Sequence, residues 1–565
     1  DSYDRLNLST FMGVDVNSWL TTQLDLKYGN SKQKKVEAGG RNTVWVAAMN
    51  LPSYQNNEDY EENGTVYPAE SPATYIRYGD PRRIKRNDLR ALGRIILSPL
   101  KGLKITGEYT YNRTTEQNKF YKNKYQYIGM NFTGVLNSTE NSSYAVTSKY
   151  TDYNAVNLFA NYDMTFGKHD ISVMGGYNQE SSHTESQYSY RTDVVVGSLP
   201  SLSLSTGTPI TNDAFEEFAI RGLFYRVNYS YAGKYLLEAN GRYDGTSRFP
   251  KNSRFGFFPS FSAGWRISEE NFMKATNEWL SNLKLRASWG SIGNQVILKS
   301  DNTPDNYPYI PDMNVYLSNW LVDGQKVTTL GAPAMVSSSF GWEKVYTLDF
   351  GFDLDLFNNK LNTTFDWYRR DTKGMLAPGM ELPGVVGASA AKQNAADLKT
   401  YGWELKINWH DRIGDIGYRV GFNLYDSQSE ITKYDNEAGL FGKDLYRKGM
   451  KLGEIWGYVT DRFYTTDDFN ADGTLKPGIP MFKGAGTVYP GDILYKNFDD
   501  DTEFIFEGDN TIHNPGDQRI IGNNTPRYQY GITAGVSYKG FDLSIFLRGV
   551  GKRDYWRTDQ MAWPN

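Results

Sequence analysis

Hydrophobic and polar positions alternate along this chain with a period of two over long stretches. From Leu223 the odd positions read Leu223, Tyr225, Val227, Tyr229 and Tyr231, and the even ones Phe224, Arg226, Asn228 and Ser230. After "AGK" the odd set is Tyr235, Leu237, Ala239, Gly241 and Tyr243, set against Leu236, Glu238, Asn240, Arg242 and Asp244. The pattern returns at Tyr401, Trp403, Leu405, Ile407 and Trp409, and again at alternate positions from Tyr528 to Tyr538. Successive side chains of a strand point to opposite faces, so each stretch predicts a strand with one apolar and one polar face. Each unit is about ten residues long, enough to cross a bilayer core when tilted. The tyrosines and tryptophans near the ends of the units suit the two membrane interfaces. Strands of a soluble sandwich are usually shorter.

The connections carry a second signal. Short turns are predicted at Pro99–Gly102, Phe166–Lys168, Ala232–Lys234, Phe357–Lys360, Asp411–Asp415 and Lys539–Gly540. Between them lie long polar segments at 29–87, 113–152, 179–216, 292–342, 371–399 and 428–525. Alternating short and long connections are expected of an outer-membrane barrel, with tight periplasmic turns and long extracellular loops. The reading is therefore all-β: a large antiparallel transmembrane β-barrel with about 16–17 strands in this chain. The terminal "RTDQMAWPN" reads as a loop, so strands are expected to be missing at both ends, and 1–565 is read as one incomplete barrel domain. No linker, internal repeat or low-complexity tract divides it.

Composition narrows the function classes. The chain has 565 residues, a formal charge of −4 and no cysteine, which excludes disulfides, thiolate metal sites and cysteine nucleophiles. So small a net charge gives no field for nucleic acid. No run of 18 apolar residues exists, so no transmembrane helix is predicted. The four histidines, His169, His183, His410 and His513, show no ligand spacing. No nucleophile elbow, phosphate loop or zinc-protease motif occurs, and "SWGSIGNQ" places its serine beside glycine with no histidine nearby. The chain is not read as an enzyme.

Several ordered stretches then point to one family. "GKYLLEANGRYDGTSRFPKNSRFGFFPSFSAGWRISEENFM" resembles the central barrel of the SusC/RagA-type TonB-linked outer-membrane transporters of Bacteroidetes. So do "WLSNLKLRASWGSIGNQ" at 279–295, "GWEKVYTLDFGFDLDLFNNKLNTTFDWYRRDTKGML" at 341–376, "YPGDILYKNFDDD" at 489–501 and "DQRIIGNNTPRYQYGITAGVSYKGFDLSIFLRGV" at 517–550. Residues 1–215 share only the rhythm. The resemblance implies a large part of a 22-stranded barrel of the plugged transporter class, placed in the bacterial outer membrane. It implies import of oligomeric nutrients, glycan oligosaccharides or peptides, with energy delivered through TonB. The implied partners are a SusD-like surface lipoprotein that closes as a lid, the TonB complex acting through an N-terminal region and plug not found in this sequence, and the lipid bilayer. An alternative is a SusC-like barrel serving as a structural subunit of a larger outer-membrane complex. A passive porin and a soluble adhesin are further readings. Within 243–260, Asp244-Gly245 is read as a turn signal, and the stretch as architectural rather than substrate-contacting.

Two kinds of site residue stand out. Aromatic side chains in predicted extracellular loops could stack on sugar rings: Tyr307, Tyr309, Tyr316 and Trp320 in one loop, and Tyr555, Trp556 and Trp563 near the end. Loop–loop packing or lid contact is the competing role. No cofactor is required, but calcium has two candidate loops. In "DFNADGTLKPGI", Asp468, Asn470, Asp472 and Gly473 match the opening of a calcium loop, while Ile479 stands where its bidentate glutamate belongs. In "FDDDTEFIFEGDN" the acidic positions are Asp499, Asp501 and Glu503.

Overall fold

The structure is a computed structural model that describes residues 2–37, 59–129, 134–299, 303–311, 313, 315–333, 335–337, 340–378, 385, 391–436, 439–441, 445–484, 486–498 and 504–556. Sixteen strands form one antiparallel sheet. They are β1 Ser2–Asn17, β2 Leu20–Glu37, β3 Asp80–Leu100, β4 Leu103–Lys122, β5 Ser143–Phe166, β6 His169–Thr192, β7 Ile210–Tyr231 and β8 Tyr235–Thr246. The second half comprises β9 Phe255–Arg266, β10 Leu280–Asn294, β11 Glu343–Leu356, β12 Leu361–Pro378, β13 Lys392–Ile413, β14 Ile416–Lys433, β15 Arg527–Tyr538 and β16 Phe541–Lys552. Each pairs with the strand before and after it in this series, and β1 and β16 are the edges. No helix among the described residues is long and apolar enough to cross a membrane.

Turn chemistry explains the tight end. Lys539 and Gly540 both have positive φ, the backbone of a two-residue hairpin that matches strand twist. Gly102 has φ of 87°, and a Cβ there would lie 2.2 Å from the Asp163 carbonyl oxygen. Only glycine fits that corner. All the short connections lie at this end, joined by residues 267–279, which hold two short 3-10 turns.

The alternation becomes two faces. Leu223, Leu237, Phe261, Phe350 and Val536 are about half exposed, from 46% to 58%. Water would penalise so continuous an apolar face, whereas lipid solvates it. At the short-turn rim, rings follow one another across strands: Phe166 and His169 at 4.9 Å, His169 and Tyr231 at 4.9 Å, Tyr231 and Tyr235 at 6.3 Å, Tyr235 and Trp265 at 6.5 Å. This is the aromatic girdle of one interface. The opposite face is polar. Arg94 donates to Glu108 at 2.5 Å and to Gln23 at 3.0 Å, and Asn178 donates to Asn157 at 2.7 Å.

Two expectations are corrected. Strands run 12 to 24 residues, well beyond ten, because polar sequence continues the ladder above the apolar band. Much of 113–152 and 179–216, together with 29–37 and 80–87, is therefore strand: β4 extends to Lys122 and β6 to Thr192 before the chain leaves the sheet. Asp244 and Gly245 are not a turn. They lie in β8, where Gly245 pairs with Phe255 and Asp244 takes both hydrogen bonds of Arg242. The turn follows at 247–254.

Candidate functional site

The polar face of β7 to β12 is the lumen wall. Asn228, Glu238, Ser262, Lys284, Arg286 and Asp349 border a concavity of about 660 Å³. Arg286 is its fixed centre. Its guanidinium bonds both oxygens of Asp353, at 3.0 and 3.1 Å, and reaches Asp366 at 2.8 Å. Bidentate pairs of this kind hold a cation in one orientation. The neighbouring Ser260 donates to Asn240, which donates to Glu238. The wall thus offers preoriented charges and amides.

At the long-loop end the chain packs into two separate cores. The first grows from the 247–254 turn. Phe249, 1% exposed, packs with Ile297 and Phe340, and Trp342 and Leu376 close over them. Trp342 meets the Phe249 and Phe258 rings edge-on at 5.4 and 5.0 Å, and its indole donates to the Arg254 carbonyl. The Ser253 hydroxyl donates to the Phe340 carbonyl at 2.6 Å. Arg248 is buried against the Phe218 ring at 4.3 Å and donates to Asn306 at 2.9 Å. Burial lowers its pKa below the ordinary arginine value. The stretch read as architectural therefore ties the 247–254 turn to the 295–342 connection.

The second core lies within 434–526, the longest connection. Short pairings, Glu454–Tyr458 with Gln518–Asn523 and Thr460–Phe463 with Ile493–Tyr495, frame buried Tyr464, Leu494 and Ile505. Asp517 is fully buried and accepts the Phe498 and Phe506 backbone amides, at 2.5 and 3.0 Å. Gly508 and Gly516 approach so closely that a Cβ on either would meet backbone at 2.3 Å. Nearer the sheet, Phe441 stacks on Trp456 at 4.1 Å, and Asp426 holds Arg527 through two hydrogen bonds. Burial pushes the Tyr464 hydroxyl above its ordinary pKa.

The structure distributes the sequence-predicted residues as follows. Tyr307 is half-buried against β7, where its hydroxyl accepts the Glu217 amide at 2.9 Å; Tyr309 is also half-buried. Tyr316 and Trp320 lie on a hairpin, Val315–Val322 with Gln325–Leu330, and are 46% and 57% exposed beside exposed Leu317 and Leu321. Tyr555 and Trp556 follow β16. Asp554 beside them accepts the Asn523 amide, and Trp556 lies near Gly457 of the second core. Trp563, Asp499, Asp501 and Glu503 lie outside the described residues. The aromatics therefore form separate clusters, with no ring pairing between them among the described residues.

The first calcium candidate has other partners. Asp468 is buried and takes two hydrogen bonds from Arg462, at 2.5 and 2.8 Å, and two from Thr465. The guanidinium, and then the Thr465 amide, hold its carboxyl far below the usual range. Asp472 accepts the Thr474 amide and hydroxyl, and Asn470 donates to Thr474. These contacts close a structural turn. Among the described residues no group of three or more histidine or acidic side chains is arranged to hold a metal. The second core escaped the sequence reading, although its short apolar runs "EIWGYV", "DILYK" and "FIF" are its signal.

Comparison with known proteins places this geometry. A TonB-dependent receptor SusC of Bacteroides thetaiotaomicron is 25% identical over 569 residues, covering 94% of this chain and 52% of that protein. A TonB-dependent receptor of Formosa agariphila is 28% identical over 405 residues, covering 69% of this chain and 38% of that protein. This chain therefore spans about half or less of each relative's length. The solved RagAB peptide transporter superposes with a TM-score of 0.75 at 18% identity, over 97% of this chain and 57% of that one, which shows a shared fold. The family model for the TonB dependent receptor-like β-barrel matches residues 18–563. The sixteen-stranded sheet is accordingly an outer-membrane barrel wall, its short turns periplasmic and its long loops outside, and the family is one of transporters rather than enzymes. The chain belongs to the TonB-dependent receptor-like β-barrel family.

Proposed function

We propose that this chain is the barrel part of a TonB-energised importer of oligomeric nutrients, glycan oligosaccharides or peptides, working under a SusD-like lipoprotein lid. The observation that carries this reading is the pairing of a SusC relative across 94% of the chain with an extracellular end built as two packed cores. Plain porin loops need no such cores. A capture chamber does, because its walls must hold shape while a lid opens and closes. The peptide class draws support from the RagAB neighbour, a peptide transporter.

In this reading cargo meets the exposed rings first. Tyr316, Trp320, Tyr555 and Trp556 present free apolar faces for sugar rings or peptide side chains. Tyr307 and Tyr309 serve as the packed base of their loop. Below them the polar wall around Arg286 and Glu238 lines the descent. Energy from TonB would arrive through a plug and an N-terminal segment supplied by sequence outside this chain. No cofactor is invoked.

The test is purification of the native complex in mild detergent, with mass spectrometry of everything that accompanies it. A stoichiometric surface lipoprotein together with bound oligosaccharide or peptide is the expected result, and its chemistry names the cargo class. Assembly or secretion components without cargo would replace the importer by a structural subunit.

A further inference from the structure

The outward faces of β2, β3 and β4 change character together just above the apolar band. Register fixes the rows. Leu24 and Leu26 of β2 lie opposite Gly93 and Ala91 of β3, and Tyr28 lies opposite Leu89. These positions face lipid. Two residues further out come Asn30, Asn87 and Thr115, joined by hydrogen bonds of 2.6 and 3.2 Å. The next outward row is Lys32, Lys85 and Gln117, and the one after it is Lys34, Arg83 and Lys119. No register shift interrupts these strands here, so all five cations share the face of Leu24 and Tyr28.

None of the five forms an ion pair among the described residues. The basic residues of these strand ends that do pair, Lys35 and Arg82 with Glu37 and Arg86 with Asp88, lie on the lumen face. On the outer face Asp4 lies across from Lys32 without an ion pair, and Asp152 is engaged by Tyr111 and Arg113. Lys32 with Lys85, Lys34 with Arg83, and Arg83 with Lys119 are thus like charges directly opposite one another. Such pairs destabilise a sheet unless an anion sits between them. The patch measures about 10 by 7 Å from strand spacing and rise, the scale of one phosphorylated sugar. It begins just beyond the Asn30, Asn87 and Thr115 row, two rows out from Tyr28, a ring position that marks the interface with headgroups.

We propose that Lys32, Lys34, Arg83, Lys85 and Lys119 form a binding site for the phosphorylated sugar headgroup of a lipopolysaccharide-type glycolipid in the outer leaflet. The patch faces the bilayer edge, where that lipid is the available polyanion. Guanidinium and ammonium groups in fixed rows match phosphate oxygens. The site rests on the outer-membrane placement and is independent of the cargo.

The experiment is native mass spectrometry of the protein extracted from its own membrane in mild detergent. Wild type is expected to retain phosphorylated glycolipid. Combined Lys32→Gln, Arg83→Gln, Lys85→Gln and Lys119→Gln should lower its occupancy more than about tenfold, since each basic residue near an anionic lipid surface adds to binding. Combined Lys251→Gln and Lys326→Gln, in the loops, should not. Heat-modifiable gel migration confirms that each barrel is folded, and Lys32→Gln with Lys85→Gln alone serves if the fourfold variant is not. Added back to delipidated protein, phosphate-bearing lipid should bind and the dephosphorylated lipid should bind far more weakly. The proposal is overturned by undiminished lipid in the folded variant, by equal binding of dephosphorylated lipid, or by displacement of the lipid with inorganic phosphate, which would make this a free-phosphate site.

Discussion

The transmembrane wall and the extracellular end of this chain are built by opposite rules. In the wall, Leu223 and Leu237 are more than half exposed, while polar Asn178, Asn157 and Glu108 are linked across the inner face. At the extracellular end, Phe249 and Ile505 are each 1% exposed, in small cores that any water-soluble domain could contain. The boundary between them is sharp. Between Tyr28 and Lys32 the outer face of one strand passes from lipid-facing to cationic in four residues. One chain therefore reads two solvents, and the same substitution should have opposite consequences in the two regions.

The largest expected effect sharpens the contrast from the loop side. Phe249→Ala should cost about 3–5 kcal/mol locally, as deletion of a buried aromatic does. Hydrogen exchange should rise at 247–254 and around Phe340, while heat-modifiable migration of the barrel stays unchanged. If the barrel itself loosened, the separation of the two regions would be wrong.

The wall supplies the next. Leu237→Arg, on the lipid face, should cost up to about 2–4 kcal/mol depending on depth. Ser262→Arg, on the lumen face of the neighbouring strand, should be near neutral. Denaturant unfolding in lipid vesicles measures both, and equal costs would break the assignment of faces.

Asp517→Ala follows, with an expected loss of about 1–3 kcal/mol from two buried amides left unpaired. Limited proteolysis should then cut within 454–523 and spare the strands.

The smallest effect concerns pH. Arg462 holds the Asp468 carboxyl well below the ordinary carboxylate value. A carboxyl with a lowered folded pKa contributes stability above its unfolded pKa and loses it as pH falls through the folded one. The 465–476 turn should therefore stay closed down to strongly acid pH. In Arg462→Gln it should open nearer pH 4, the unfolded carboxylate range. Pulsed pepsin digestion against pH reads this, and an unchanged opening point would show that Arg462 is not the cause.

The same divide explains what was legible in the sequence. A period of two written in Leu223 to Tyr231 and Tyr235 to Tyr243 is a direct consequence of strand geometry between two media, so the wall and its tight turns could be read. The long polar strand ends could not, because with water on both faces alternation loses its meaning, and 113–122 read as loop although it continues β4. The two cores were hidden for another reason. Phe249 meets Ile297 and Phe340, and Asp517 meets Phe498 and Phe506, across separations that no local pattern records. At Asp468 the spacing could not show the partner: Arg462, six residues earlier, donates two hydrogen bonds to the carboxylate. Of the candidate aromatics, Tyr316 and Trp320 present open faces, but Tyr307 is held by a backbone amide, a contact that composition cannot show.

The central claim is energised import through this wall, and uptake of the co-purifying oligomer into living cells tests it most directly. Labelled oligomer should accumulate in cells that make the protein, and accumulation should stop when TonB is deleted or the proton gradient is collapsed. Uptake that continues without TonB would make the barrel a passive pore, and its absence in energised cells would contradict the importer altogether.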